Sequence, residues 1–421
     1  MGLRISLMAR KELTRSKAQE YHRASKKRKG QILDIVCEDT GWSRDNARRQ
    51  LGRALVKSKG KQAAMPARRR PLKYSARARQ VLTNAWLLSG TTCGQYLHAQ
   101  IAGGLIERLV RFGELKDGPK NKGAAVAADD AVIEEIRAMS SATMDRYLKE
   151  ERRRLEPISL SATKKPSYPL RGEIPFGKSY MQVDGPGWLS TDTVAHCGDT
   201  LKGNHLWTLN STDACTGWTE TVTIKSRARV WIKEGHDEIL SAFPFKVKGV
   251  NYDDGSEFIN YEMIDYSKLH NYQMTRSRPY HSNDNAHVEQ KNYDIVRKHA
   301  FRYRYEGQEV QDLLNRLWYW VNLRKNYLVP TKKCIGHTKT ASGRTRGIYD
   351  KPKTPYQRVL KSKVLDKDKG KDAELRRTFE RLNDAHITRM ILSLQHELLK
   401  HVKDKDMVEF IEEAVRSADA A

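Results

Sequence analysis

The sequence predicts a multidomain chain: an all-α N-terminal part, an α/β core after it, and a basic C-terminal region with a small β or turn segment and helices. Three observations carry this. At 421 residues the chain exceeds what one hydrophobic core usually organises. Helical apolar spacing prevails up to about residue 155, and strand-length β-branched runs begin near residue 188. Lys and Arg number 77 against 51 Asp and Glu, a net charge of +26. Such an excess implies a polyanionic partner. Nucleic acid comes first, because Lys and Arg neutralise phosphates and release condensed counterions; an anionic membrane surface comes second. The expected divisions are 1–60 and 74–155 as helical modules, 175–327 as the α/β core and 328–421 as the basic region.

In chain order, "GQILDIVCEDTG" places apolar residues at Ile32, Leu33, Ile35 and Val36 and breaks at Gly41. Ser43 is positioned to cap a second helix, "RDNARRQLGRAL". Helix, short Gly-containing turn and Arg-rich second helix fit a helix-turn-helix, with Arg44, Arg48 and Arg49 facing DNA. The alternative is a helical hairpin with a solvated basic face. Between Val56 and Lys73 lies a basic linker. It serves as a tether, or Arg68, Arg69 and Arg70 beside Pro71 enter a minor groove. Helical patterns return from Tyr74 to Leu155. There "DDAVIEEIRAM" followed by "SSATMDRYLKEERRRL" repeats the earlier grammar, with Ser141 as cap and Arg146 on the basic second helix. A Pro- and Ser-rich linker then precedes three strand patterns, "WLSTDTVA", "NHLWTLNSTDA" and "GWTETVTI". A helix from about Arg227 to Ser241, a strand in "FKVKGVNY" and a short strand in "YQMTRS" follow. Two more helices are expected in "NDNAHVEQKNYDIVRKHA" and "EVQDLLNRLWYWVNL". The second has Val310, Leu313, Leu314, Leu317, Trp318 and Val321 along one face, a core stripe. From Thr331 the chain is basic and turn-rich, then forms two amphipathic helices ending near Val402.

Several classes are excluded. Five scattered cysteines with no CxxC pair give no zinc site and fit a reducing cytoplasm. No GxxxxGK[ST] occurs, so no nucleotide cofactor is expected. No apolar run approaches the roughly 18 residues of a membrane span, and no signal peptide is visible. The opening "MGLRIS" fits a loose myristoylation pattern, but nothing else points to anchoring.

Three strands, a helix, a strand, a helix and a short strand form the order of an RNase-H-like core, in which the first strand lies beside the fourth. Neighbouring strands are about 4.8 Å apart, so carboxylates at adjacent strand positions come within several ångströms. Asp192 is on the first strand and Asp253 follows the fourth. Two such carboxylates repel, and a hard divalent cation between them removes the conflict. Glu289, on a helix with 35 residues between it and Asp253, supplies a third. Asp184 in "YMQVDGPGW" is the rival first carboxylate. Asp213 is expected to be a turn or strand-end residue, while His196, His287 and Cys197 have no zinc-like spacing and take structural roles. Arg276, Arg278 and Lys291 are candidate phosphate contacts, with surface solvation as their alternative.

In this spacing the sequence resembles the DDE transposases and retroviral-type integrases. "NYDDGSEFIN" is similar to their D-N-G-S-x-F turn and "NDNAHVEQKN" to their N-x-x-x-E-x-x-N helix. "DTVAHCG", "TLNSTDACTGWTE", "TRSRPYHSNDNAHVEQKN" and "KTPYQRVL" resemble more closely a group of bacterial insertion-sequence transposases with an integrase core. The resemblance covers roughly Tyr74 to Val402 and is strongest between Trp188 and Tyr303. Asp254 departs from it, standing where that group usually has Asn.

The resemblance implies that Asp192, Asp253 and Glu289 hold two Mg²⁺ ions, with Mn²⁺ as a possible substitute, for in-line phosphodiester displacement. It implies cleavage at element ends followed by strand transfer into target DNA, with no covalent protein intermediate. The partners would be double-stranded DNA, as terminal inverted repeats and target, and further copies of the chain assembled on it. A catalytically idle DNA-binding regulator and a purely hydrolytic nuclease are the alternatives.

Overall fold

The computed structural model describes residues 7–58, 72–115, 128–154, 183–252, 255, 257–277, 291–339, 345–402 and 405–420. Contacts divide the chain into two compact units, Met1–Lys73 and Tyr74–Ala421.

The first unit packs three helices, α1 (Leu7–Arg23), α2 (Lys26–Thr40) and α3 (Arg44–Ser58). Ser25 starts α2 by accepting from the Arg28 amide. Gly41, at φ 70°, ends it in the left-handed region and donates its amide to the Cys37 carbonyl, a conformation that favours glycine. Ser43 Oγ then accepts from Asn46 N at 3.4 Å, the expected cap of α3. Ile32, Leu33 and Val36 of α2 meet Ala47 and Leu51 of α3 in a small core. Ile35 is 39% exposed: one residue from Val36 is a 100° rotation, which carries it off the buried stripe.

In the second unit the chain first forms α4 (Ala76–Leu88), α5 (Gly94–Ala102), α6 (Leu105–Arg111), α7 (Asp130–Arg137), α8 (Ser141–Tyr147) and α9 (Lys149–Arg154). The cap of α8 is Ser140, whose side chain accepts from Thr143 N, rather than Ser141, the first helical residue. Of two adjacent serines, the one with extended backbone (φ −70°, ψ 152°) is the one that can turn its oxygen onto the free amides. At the start of α5, Gly94 lies against α8. Its amide donates to Asp145 Oδ1 at 2.8 Å, and a Cβ there would collide with the Ser141 carbonyl and stand 2.7 Å from Asp145 Cγ. Gly94→Ala is therefore expected to destabilise this unit by about 1–3 kcal/mol, measured as a lower urea midpoint. An unchanged midpoint would show that the α5–α8 contact yields without strain.

The sheet follows as β1 (Trp188–Ala195), β2 (Trp207–Asp213), β3 (Thr219–Ile224), α10 (Arg229–Ala242), β4 (Gly249–Tyr252), α11 (Tyr261–Leu269) and β5 (Gln273–Arg276). Its order is β3-β2-β1-β4-β5. β1, β2 and β3 are antiparallel neighbours, while β4 runs parallel to both β1 and β5. The first strand thus lies beside the fourth, as the strand and helix order predicts. Next come α12, a π-helical turn Asn292–Arg297 continued by Lys298–Ala300, and α13 (Gln308–Leu323), which runs on as a π-helical turn, Arg324–Leu328. The apolar stripe expected on α13 is buried in full, from Val310 to Val321.

α13 also closes the β3 edge of the sheet. Asn315 Oδ1 accepts from Thr223 N at 2.7 Å, and Gln311 Nε2 donates to Thr223 O at 3.0 Å. Asn326 repeats the pattern four residues back, accepting from Thr219 N and donating to Thr219 O, both at 2.9 Å. Side-chain amides thereby occupy strand groups that an edge would leave open.

The C-terminal region forms a two-stranded hairpin, β6 (Cys334–Lys339) and β7 (Thr345–Tyr349), then α14 (Pro355–Ser362), α15 (Lys369–Arg381), α16 (Asp384–Leu399) and α17 (Lys405–Ala420). Two helices more than expected appear. α14 lies in the stretch that reads as turn-rich: a Thr354/Gln357 capping box and Pro355 in the first turn convert turn residues into a helix start. α17 lies beyond Val402, and its Ile411 and Ala418 are buried.

α16 is the member through which this unit holds together. Arg108 of α6 pairs with Asp384 through two hydrogen bonds of 2.9 and 3.1 Å. Thr388 Oγ1 donates to the Leu88 carbonyl at 2.7 Å, Arg389 pairs with Glu114, and Gln395 Nε2 donates to the His299 carbonyl at 2.8 Å. No helix among the described residues is long and apolar enough to cross a membrane.

Candidate active site

The site is built on one row of the sheet. Register pairs Asp192 of β1 with Asn210 of β2, and Asn210 with Thr221 of β3. Side chains of register partners project from the same face, so the three stand side by side. Asn292 of α12 lies over them. Asp192 Oδ2 accepts from Asn292 Nδ2 at 2.7 Å, and its Oδ1 from the Thr193 amide at 2.8 Å. Asn292 Oδ1 in turn accepts from Asn210 Nδ2 at 2.8 Å, and Asn210 Oδ1 from Thr221 Oγ1 at 3.1 Å.

On the other side of β1, Thr191 is the register partner of Tyr252, the last residue of β4. Asp192 is therefore level with the point where β4 ends. Asp184, the rival first carboxylate, is at the opposite end of these strands. It accepts from Trp188 Nε1 at 2.7 Å and lies 3.9 Å from Lys248 Nζ, just before β4 begins. The three steps from Gly249 to Tyr252 span about 10 Å at strand spacing.

A further carboxylate is close by. Glu257, buried at 7% exposure, accepts from Thr193 Oγ1 at 3.2 Å and pairs with Arg227 at 3.1 Å. Its charge is met by a guanidinium that also stacks 4.3 Å over the Trp207 ring. Among the described residues, no group of three or more His, Cys, Asp or Glu side chains converges to hold a metal ion. Asp253, Asp254, Glu289, His287, Arg278 and Arg68, Arg69 and Arg70 lie outside the described residues.

The other expected DNA contacts are dispersed. Arg44, Arg48 and Arg49 are exposed on α3, the first two beside Asp34 and Asp45. Arg146 is exposed on α8 and donates to Thr143 Oγ1. Arg276 is buried at the end of β5. Lys291 precedes Asn292, and burial, with Lys325 and Arg358 nearby, pushes its ammonium down to about 8 despite the opposing pull of Asp294.

No family model matches the chain. It is 30% identical over 367 residues to the uncharacterized protein y4rM of Sinorhizobium fredii (strain NBRC 101917 / NGR234), covering 85% of this chain and 97% of that one. The chain belongs to the family of y4rM. Among solved structures it is similar to the HTLV-2 integrase catalytic core domain in complex with magnesium and to the catalytic core domain of BIV integrase. Both are 14% identical at a TM-score of 0.27; the first covers 38% of this chain and 94% of that one, the second 44% and 100%. Beside likenesses this slight, the strand order of the y4rM-family chain is the stronger observation.

Two expected structural roles take concrete form. Asp213, fully buried, accepts from Gly187 N, Thr216 N and Thr216 Oγ1, which ties the entry of β1 to the turn after β2. Burial nonetheless pushes its carboxyl upward. His196, whose Nε2 is 2.6 Å from Thr208 Oγ1, is held neutral, its pKa pushed down to about 3 by burial.

Asn210, Thr221 and Glu257 were not singled out from sequence. Asn is depleted in strands, so its presence in "WTLNSTD" is the signal that could have found Asn210. Glu220, on the neighbouring row, is a further unforeseen titrating group. It accepts from Trp218 Nε1 at 2.7 Å and Asn322 Nδ2 at 3.1 Å, yet burial outweighs these bonds and pushes its carboxyl up to about 8. A carboxyl raised on folding contributes stability fully present below its unfolded value of about 4.3. That contribution declines as pH rises and is lost once pH passes the folded value of about 8. Stability is thus expected to fall between pH 5 and 8, and Glu220→Gln to flatten that slope in urea midpoints measured across the range. A slope unchanged in the Gln variant would assign it to other groups.

Proposed function

We propose that this chain is a DDE transposase, cutting DNA at the ends of a mobile element and joining those ends to target DNA. The observation that supports this best is the pairing of Thr191 with Tyr252. Asp192 follows Thr191 on β1, and Asp253 follows Tyr252 in the sequence, so each carboxylate comes one residue after a shared register point of two parallel strands. Glu289 precedes Asn292 by one helical turn's worth of sequence, and Asn292 bonds Asp192.

In this reading Asp192, Asp253 and Glu289 hold divalent magnesium, or manganese in its place. Asp192 fits, since its hard carboxylate oxygens are oriented by Asn292 and the Thr193 amide. When bound, the metal supplies activation of the attacking oxygen and stabilisation of charge on the departing one. Water opens a phosphodiester at the element end and frees a 3′-hydroxyl; that hydroxyl attacks a target phosphodiester, whose own 3′-oxygen leaves. The number of phosphodiester bonds is unchanged in the joining step, so no nucleotide cofactor is needed.

The exposed arginines of α3, set on a self-contained three-helix unit, support recognition of the terminal repeats. Joining two ends at one target calls for two active sites in one place, hence further copies of the chain assembled on DNA. The experiment is to incubate the purified chain with its genomic flanks and Mg²⁺ and to map cut and joined products. Cut and joined ends support the proposal. Cutting without joining of precleaved ends would make it a nuclease, and specific end binding with neither would make it a regulator.

A further inference from the structure

We infer that Asn210 and Thr221 are positioning residues for the Asp192 carboxylate, acting through Asn292. The inference rests on the reading of Asp192 as a metal ligand. Its evidence is the row Thr221–Asn210–Asp192 and the amide that bridges it.

The polarity of this chain of hydrogen bonds is forced from its charged end. An ionised carboxylate only accepts, so Asn292 must present Nδ2 to Asp192 and thereby turns Oδ1 toward Asn210. Asn210 must then present its own Nδ2 and turns Oδ1 toward Thr221, whose hydroxyl has to donate. Every amide orientation follows from the negative charge on Asp192, and each bond polarises the next in the same sense. Asn210 is wholly buried and Thr221 nearly so, so neither has water as an alternative partner. The chain also couples elements distant in sequence: β3, β2 and α12 are linked in series to one carboxylate oxygen. Because Asn292 is three residues beyond Glu289, the same bond sets the register of the helix that follows the third expected carboxylate against the first.

An apolar replacement of either residue removes a donor and lets Asn292 rotate, so that Asp192 Oδ2 loses its fixed partner while Oδ1 keeps the Thr193 amide. Partners that orient a metal ligand typically contribute 10–100-fold in affinity or activity. Thr212 provides a matched control. It lies two residues along β2 from Asn210, and its buried hydroxyl is 3.0 Å from that of Thr219, with no link to Asp192.

The test uses the full-length chain. Mn²⁺ binding without DNA is measured by electron paramagnetic resonance titration, and DNA cleavage is measured against Mg²⁺ concentration. Thr221→Val and Asn210→Leu are expected to weaken Mn²⁺ binding about 10-fold and to raise the half-maximal Mg²⁺ concentration equally. KM for DNA should stay unchanged, Thr221→Ser should restore binding, and Thr212→Val should behave as wild type. If Asn210→Leu does not fold, Thr221→Val decides. Wild-type Mn²⁺ binding in Thr221→Val, with Asp192→Asn inactive, would overturn the inference and leave the proposed function standing. An equal loss in Thr212→Val would also overturn it, by reducing the effect to general loosening. Native binding and turnover in Asp192→Asn would remove the proposed site together with the inference.

Discussion

Asp192→Asn is expected to lower both DNA cleavage and strand joining by on the order of 10³-fold or more, about 4 kcal/mol of barrier, while leaving end binding nearly intact. The substitution keeps the volume and removes the charge. It also sets an amide against the donated Nδ2 of Asn292, so that one oxygen-binding position is lost and the other is reoriented. The same loss is expected for Asp253→Asn and Glu289→Gln. Asp184→Asn is the comparison that gives the result its meaning, because Asp184 bonds Trp188 and neighbours Lys248 at the far end of β4. Activity in Asp184→Asn with none in Asp192→Asn is the expected pattern. Its reversal would move the site to the start of the strands.

Breaking the Arg108–Asp384 pair should have the largest effect on stability. The Asp384 side chain is 2% exposed and that of Arg108 11%, so removing one partner leaves a charge with little access to water. Such losses cost about 3–5 kcal/mol. Arg108→Met is expected to be worse than Asp384→Ala, because it strands the more buried carboxylate, whereas the guanidinium keeps the Gly103 carbonyl and the Phe379 ring. Replacing both, with Met and Leu, should recover part of the loss, since no unpaired charge remains. Urea unfolding of the full chain gives the magnitude, and hydrogen exchange at the amides of α6 and α16 shows where it falls. If either single variant unfolds at the wild-type midpoint, the pair is not what fastens these helices.

The second and fourth strands start three and four residues later than expected. The first was legible to the residue, "WLSTDTVA" being β1, and the stripe from Val310 to Val321 is the buried face of α13. Both are periodic, and periodicity survives any tertiary arrangement. Of the neighbours of Asp192, Asn292 stood in a quoted motif, but Asn210 and Thr221 were not legible, because they come to it only through strand register. The cap at Ser140 and the helix at Pro355 were misread for a nearer reason. Each depends on the backbone angle of one or two residues, on which adjacent serines or a run of turn-forming residues carry no information. Glu220 could not have been read as a neutral acid, since its burial is created by Trp218 and the amides of α13.

The amides that α13 sets along β3 have a consequence for assembly. Thr219 and Thr223 have given their outward donors and acceptors to Asn326, Asn315 and Gln311. That flank of the sheet therefore cannot adopt a strand from another molecule, and the sheet cannot lengthen there into a ribbon shared between copies. Protomers that gather on paired DNA ends must be fastened through other surfaces, and a concentrated solution of this chain has one fewer route into fibrous aggregation.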